Sequence, residues 1–152
     1  MELRVREAQL TDIDRICGLI EKTDQRWSAE DLSAAADLLR QLIYLPNASV
    51  LACLDGRNVL GMAVLSLRPS VGAGGLVGTL DMLAVEPEHA TAGVAEALIN
   101  EVVRSARNKG CVLIEAMPPN ERAELRRFQQ LGFSDAGTRL SRSLVTQQAS
   151  AR

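Results

Sequence analysis

The stretch from Leu80 to Ala116 constrains this chain more than any other part of it. An apolar run, Leu80 to Val85, stops at Glu86-Pro87 and gives way to small residues, Ala90, Thr91, Ala92, Gly93 and Ala95. Beyond Gly93 the apolar period becomes helical, with Val94, Ala97, Leu98, Val102 and Ala106 on one side and charges opposite, until Gly110 stops it. A second apolar run, Cys111 to Ala116, follows at once. Strand, helix and strand in this order make a βαβ unit, whose crossover is right-handed and whose two strands run parallel.

The rest of the chain supplies the remaining elements. Leu3 and Val5 alternate with Glu2, Arg4 and Arg6, as in an edge strand over residues 2 to 6. Thr11 with Asp14 predicts a capping box opening a helix on which Ile13, Ile16, Leu19 and Ile20 share a face. Ser28 with Asp31 predicts a second, with Leu32, Leu38, Leu39, Leu42 and Ile43 as its apolar side and Pro46-Asn47 as its end. Val50 to Leu54, the turn signal Asp55-Gly56, and Val59 to Leu67 read as a hairpin. Gly72 to Gly75 separates it from Leu80 to Val85, so three sequential antiparallel strands are expected. Asn120 to Leu131 predicts a last helix behind Pro118-Pro119, and Arg139 to Val145 a final strand of mostly polar character. The tail from Thr146 lacks core-forming residues and is expected to fray, leaving one domain over residues 1 to 145.

Composition excludes several functions. With 47% hydrophobic and 24% charged residues the chain is an ordinary globular protein. A net charge of -2 with scattered Lys and Arg offers no field for nucleic acid and no polybasic patch for a membrane. The N-terminus MELRVREAQL carries charges where a signal peptide has an apolar run, so a cytoplasmic protein is expected. Cys17, Cys53 and Cys111 show no C-x-x-C spacing and read as reduced, small buried hydrophobes; no metal is expected. His89 is the only histidine, so a Cys–His or Ser–His–Asp centre would depend on it alone, which argues against that chemistry.

The loop before the helix carries chemistry of its own. Consecutive amides at a helix N-terminus form a positive concavity suited to a pyrophosphate, and small residues permit close approach. Tight strand–helix packing would select the same small residues. In order, the elements give a mixed α/β (α+β) layer structure. The segment LDMLAVEPEHATAGVAEALI resembles the central motif of the GNAT superfamily of acyl-CoA-dependent N-acetyltransferases, a strand ending L-x-V-x-P-x, then Q/R-x-x-G-x-G/A and a helix. Leu83, Val85, Pro87, Gly93 and Ala95 match, whereas Ala90 stands where the family usually has Arg or Gln. RVREAQLTDIDRICGLI resembles the family's first strand and helix, VLACLDGRNVLGMAVL its second and third strands, and RRFQQLGF its closing motif. The resemblance covers residues 2 to 145.

The resemblance implies a central sheet of about six to seven strands, mostly antiparallel, with one parallel pair splayed around the cofactor and helices on both faces. It implies acetyl-CoA as acyl donor, lying between Leu80 to Val85 and Cys111 to Ala116. Backbone groups of Leu83, Ala84 and Val85 would pair with the pantetheine arm, and an amide near Leu83 would polarise the thioester carbonyl. The loop Ala90, Thr91, Ala92, Gly93, Val94 and Ala95 would hold the pyrophosphate, and Asn120 either contacts the cofactor or only caps the last helix. The acceptor would be a primary amine of a small molecule or peptide, and relatives commonly form a homodimer through the last strand. A protonated amine needs a base, for which Asp81 comes first and Glu115 second, unless both merely face solvent. The Tyr that commonly protonates the thiolate falls on Phe128, and Tyr44 lies elsewhere, leaving Cys111, Ser134 or water. His89 would pack at the mouth of the loop. Glu21, Asp24, Arg26 and Trp27 would line the acceptor side, or form a solvated connector. Ala90 and Phe128 motivate an alternative, a catalytically weak or inactive acyl-CoA-binding module.

Overall fold

A computed structural model describes residues 1–24, 26–117, 122–137 and 139–145. Alternation and apolar runs become five strands in sequence order, β1 (Arg4–Glu7), β2 (Ala48–Asp55), β3 (Asn58–Ser70), β4 (Gly75–Val85) and β5 (Cys111–Ala116). The first four pair antiparallel, while β4 and β5 are parallel, as the βαβ reading requires. The helices α1 (Ile13–Thr23) and α2 (Ala29–Tyr44) cover one face and α3 (Val94–Asn108) the other. Both faces of β3 are therefore covered, and its interior reads as an unbroken apolar run rather than an alternating one.

The α1 and α2 side buries Ile13, Ile16, Leu19, Ile20 and Leu39 against Val50, Ala52, Met62, Val64 and Ala84 of the sheet. Ile16 and Met62 are completely inaccessible, and burying a side chain of that size contributes about 1.5–3 kcal/mol. On the opposite face a β-carbon at Gly61 would lie 2.6 Å from Val94 Cγ1 and 2.8 Å from Leu98 Cδ1. Glycine at this position of β3 lets α3 come down onto the sheet.

The predicted box on Ser28 and Asp31 is present, with Asp31 N–H donating to Ser28 Oγ at 3.0 Å and Ser28 N–H to Asp31 Oδ2 at 2.9 Å. The one expected on Thr11 and Asp14 is not. A 3-10 turn, Leu10–Asp12, precedes α1, and Gln9 N–H donates to Asp12 Oδ2 at 2.7 Å. Arg6 of β1 also holds Asp12, which draws that carboxylate inward in place of Asp14. In α2, Leu38, expected on the apolar side, is 57% exposed, because Leu32, Leu39, Leu42 and Ile43 complete the stripe without it.

The chain divides into two compact units, Met1–Ala116 and Met117–Arg152. In the second, α4 (Arg122–Gln130) sets Phe128 edge-on to Phe133, ring centres 5.2 Å apart. Residues 139–145 form no strand, and Leu140, Leu144 and Val145 are exposed. The expectation of six to seven strands is corrected to five among the described residues. RLSRSLV interrupts its own apolar side with Arg142 and has too little to bury to fix a register. Residues 118–121 and 146–152 lie outside the described residues, including Asn120 and the tail expected to fray. Among the described residues no helix is long and apolar enough to cross a membrane.

Candidate active site

β4 and β5 part company half-way along β4. Their pairing runs from Leu76 with Cys111 to Leu80 with Ala116 and ends there. On its other edge β4 continues on β3, with Met82 opposite Val64, Leu83 opposite Ala63, Ala84 opposite Met62 and Val85 opposite Gly61. The register shifts between Val64 and Leu65, whose partners are Met82 and Leu80, so Asp81 is an extra residue with none across from it. Such a bulge bends the strand and tightens its twist. Among the described residues, the backbone of Asp81 to Val85 that faces away from β3 meets no strand. An extended chain carrying amides can add there as a further strand would.

The exposed edge leads directly to a helix start. Glu86 N–H donates to Leu60 O at 2.7 Å, a 3-10 turn follows at Pro87–His89, and Ala92 N–H donates to His89 O at 3.1 Å. Gly93 then takes φ 87° and ψ 9°, a left-handed conformation that other residues resist, and α3 begins at Val94. The first amides of a helix have no partner within it, and Gly93 has no side chain to cap them. A β-carbon at Gly93 would meet nothing within 4 Å among the described residues. Ala90 and Thr91 are exposed, while Val94 and Ala95 are buried beneath the helix start. The positive end of a 15-residue helix thus lies at the end of an unpaired strand edge.

Residues 13–133 match the Acetyltransferase (GNAT) family. The chain belongs to that family. No curated protein matches the sequence. Among solved structures, a transcriptional regulator from Bacillus halodurans C-125 superposes with TM-score 0.79 at 18% identity over 94% of this chain and 100% of that one. The aminoglycoside N-acetyltransferase AAC(6')-Iy in complex with CoA gives 0.78 at 21% identity, over 95% and 96%. The ribosomal-protein-alanine N-acetyltransferase from Brucella melitensis biovar Abortus 2308 gives 0.72 at 19% identity, over 93% and 99%. At these identities the structural likeness speaks to the fold.

Within this GNAT acetyltransferase the two candidate bases differ in their surroundings. Asp81 is exposed at the bulge, one residue beyond the last β4–β5 pair, with no hydrogen bond or ion pair among the described residues. Glu115 lies beside Thr79 in the parallel register and accepts from Arg68 Nη2 at 3.1 Å. The bulge is invisible in LDMLAV, which carries no glycine at that point. The Arg68 contact was equally hidden, since it joins residues 47 positions apart.

The connection between α1 and α2 is locally closed. Asp24 Oδ1 accepts from the Arg26 backbone N–H and Nε, and Oδ2 from Nη2, each at 3.0 Å. The Arg26 guanidinium holds the Asp24 carboxyl down to about 2. Trp27 packs against the α1 and α2 core. Of the acceptor-side group expected from the sequence, Asp24 and Arg26 therefore satisfy each other.

The named proton donors also fall into place. Burial pushes all three free thiols, Cys17, Cys53 and Cys111, above their ordinary range. Cys111 begins β5 opposite Leu76, at the other end of the parallel ladder from Asp81. Tyr44 is 72% exposed at the end of α2, and Phe128 presents only carbon to Phe133. His89 is half-buried beside the loop, and its Nδ1 is buried with no hydrogen-bond partner among the described residues.

Proposed function

We propose that this enzyme transfers the acetyl group of acetyl-CoA to a primary amine of a small molecule or peptide by direct attack on the thioester. The observation that carries the reading is the unpaired edge Asp81 to Val85 running into the left-handed Gly93 at the start of α3. Backbone groups of Leu83, Ala84 and Val85 take the pantetheine amides, and an N–H near Leu83 stabilises the developing oxyanion. Amides of the Ala90, Thr91, Ala92, Gly93, Val94 and Ala95 segment hold the diphosphate. Ala90 adds no long polar side chain to this cradle, so the anion depends on the backbone.

In the reaction a C–N bond forms as the C–S bond breaks, the amine loses a proton to a base, and the thiolate takes up a proton. Asp81 is the first candidate base, because it is unengaged at the mouth of the opening; Glu115, tied to Arg68, is the second. Water protonates the thiolate, since Phe128 has no proton to give. The family match over 13–133 crosses both compact units and supports a single catalytic domain.

Thiol release from acetyl-CoA over a panel of amines tests the proposal. Release is expected with at least one acceptor, and D81N should lower kcat about a hundredfold with acetyl-CoA KM unchanged, whereas E115Q should cost only a few-fold. Full activity of D81N removes Asp81 as base. Phe128 favours a second reading, an acyl-CoA-binding module without turnover, and calorimetric binding of acetyl-CoA with no release from any amine would establish it.

A further inference from the structure

One ion pair ties the loop before α3 to the helix layer on the other face of the sheet. Lys22 Nζ, in the last turn of α1, lies 3.1 Å from Glu86 Oε2, 64 positions away in sequence. The partners are unequally placed, since the Glu86 side chain is 13% exposed and that of Lys22 63%. Fully exposed pairs contribute little, but a carboxylate drawn this far from water is costly to leave unpaired.

Glu86 is also where the loop begins. Its N–H donates to Leu60 O of β3 at 2.7 Å, and its carbonyl accepts from His89 N–H at 2.8 Å. His89 O in turn accepts from Ala92 N–H at 3.1 Å, one residue before the left-handed Gly93 that precedes α3. The turns from Glu86 to Gly93 therefore hang in series from one residue, fixed to β3 by its backbone and to α1 by its side chain. His89 shows why a second anchor matters. Its Nδ1 is buried with no hydrogen-bond partner among the described residues, a cost that the segment would shed by lifting into water. Turns held by local backbone bonds alone have little to oppose that movement.

We propose that Lys22 and Glu86 are positioning residues that clamp residues 86–93 in place, so that the first amides of α3 face the acetyl-CoA diphosphate. This role rests on the reading of the helix start as the diphosphate site. Both side chains act through the loop backbone, by fixing where it stands, and as a neutral pair they add no net charge to the cradle.

Hydrogen exchange without ligand, and calorimetry with acetyl-CoA, test the clamp on the whole chain. K22M keeps an apolar stem of similar length but leaves Glu86 unpaired. It should speed exchange of the His89 and Ala92 amides at least about tenfold and weaken acetyl-CoA binding at least about fivefold. In turnover its KM for acetyl-CoA should rise with kcat unchanged, which a general loss of folding would not produce. K22R should stay within about twofold of the parent in both measurements, as should K109M, which removes the same charge at the far end of α3. Exchange in K22M equal to the parent's would overturn the clamp, and faster exchange with unchanged acetyl-CoA affinity would overturn its part in cofactor binding. Equal loss of affinity in K22M and K109M would overturn it too, because net charge alone would then account for the effect. Failure of the parent itself to bind acetyl-CoA would instead strike the catalytic reading, and this role with it, so the parent tells the two failures apart.

Discussion

Asp12 shows what a single residue does for this fold. It is 2% exposed, accepts from Arg6 Nη1 and Nη2 at 2.7 and 3.1 Å, and takes the Gln9 N–H as well. Arg6 holds its carboxyl below the ordinary value of 3.8. A carboxylate depressed in the folded state adds stability that is fully present above the unfolded value and disappears as pH falls through the folded one. D12A should therefore lose about 2 kcal/mol at neutral pH and show a shallower loss of stability below about pH 4 than the parent. Urea unfolding at pH 7 and pH 3 checks this; equal acid slopes would place the linkage in other carboxylates. The sequence hid the residue because Thr11-x-x-Asp14 and Gln9-x-x-Asp12 are overlapping candidates, and Arg6, on a neighbouring strand, decides between them.

At the scale of elements, local signals were legible wherever one side chain or one period sufficed. Ser28 with Asp31 starts α2, the apolar stripe of α3 ends where expected, and Cys111 to Ala116 is a strand. Features that depend on a partner element were not. The β4 bulge at Asp81 exists only against β3, β4 begins at Gly75 rather than near Leu80, and Arg139 to Val145 has apolar residues but no stripe able to dock. The candidate site divides the same way: small residues and Gly93 mark a loop before a helix, whereas the opening beside it appears only in the register. Gly61 links the two levels, since a methyl there would crowd Val94 and Leu98 and lie 3.2 Å from Ala84 O. G61A should cost about 1–3 kcal/mol through overpacking and, by lifting the start of α3, weaken acetyl-CoA binding. Thermal unfolding with parallel calorimetry reads both effects; a stability loss with unchanged affinity would show that the helix start does not move with the packing.

Across the whole molecule, firmness and openness are unevenly placed. The interior of β2 and β3 is paired on both edges and covered on both faces, while Asp81 to Val85 keeps one edge unpaired. A ligand that binds only the folded chain at a hundred times its Kd stabilises it by about 2.7 kcal/mol, or roughly 5–11 °C in Tm for a protein this size. That global gain would be the same wherever the ligand sat, so it cannot locate the site. Hydrogen exchange can. Amides of the β2 and β3 interior are already protected and should open only with the whole fold, whereas edge amides of Asp81 to Val85 that point away from β3, and the first amides of α3, should exchange readily without ligand. With acetyl-CoA bound, both edge groups should become slow together, because one extended molecule spans the strand edge and the helix start. A rise in Tm without new protection at either place would put the ligand elsewhere; protection at α3 alone would mean that the diphosphate binds while the thioester is not drawn along β4, and acetyl transfer at Asp81 would lose its geometric basis.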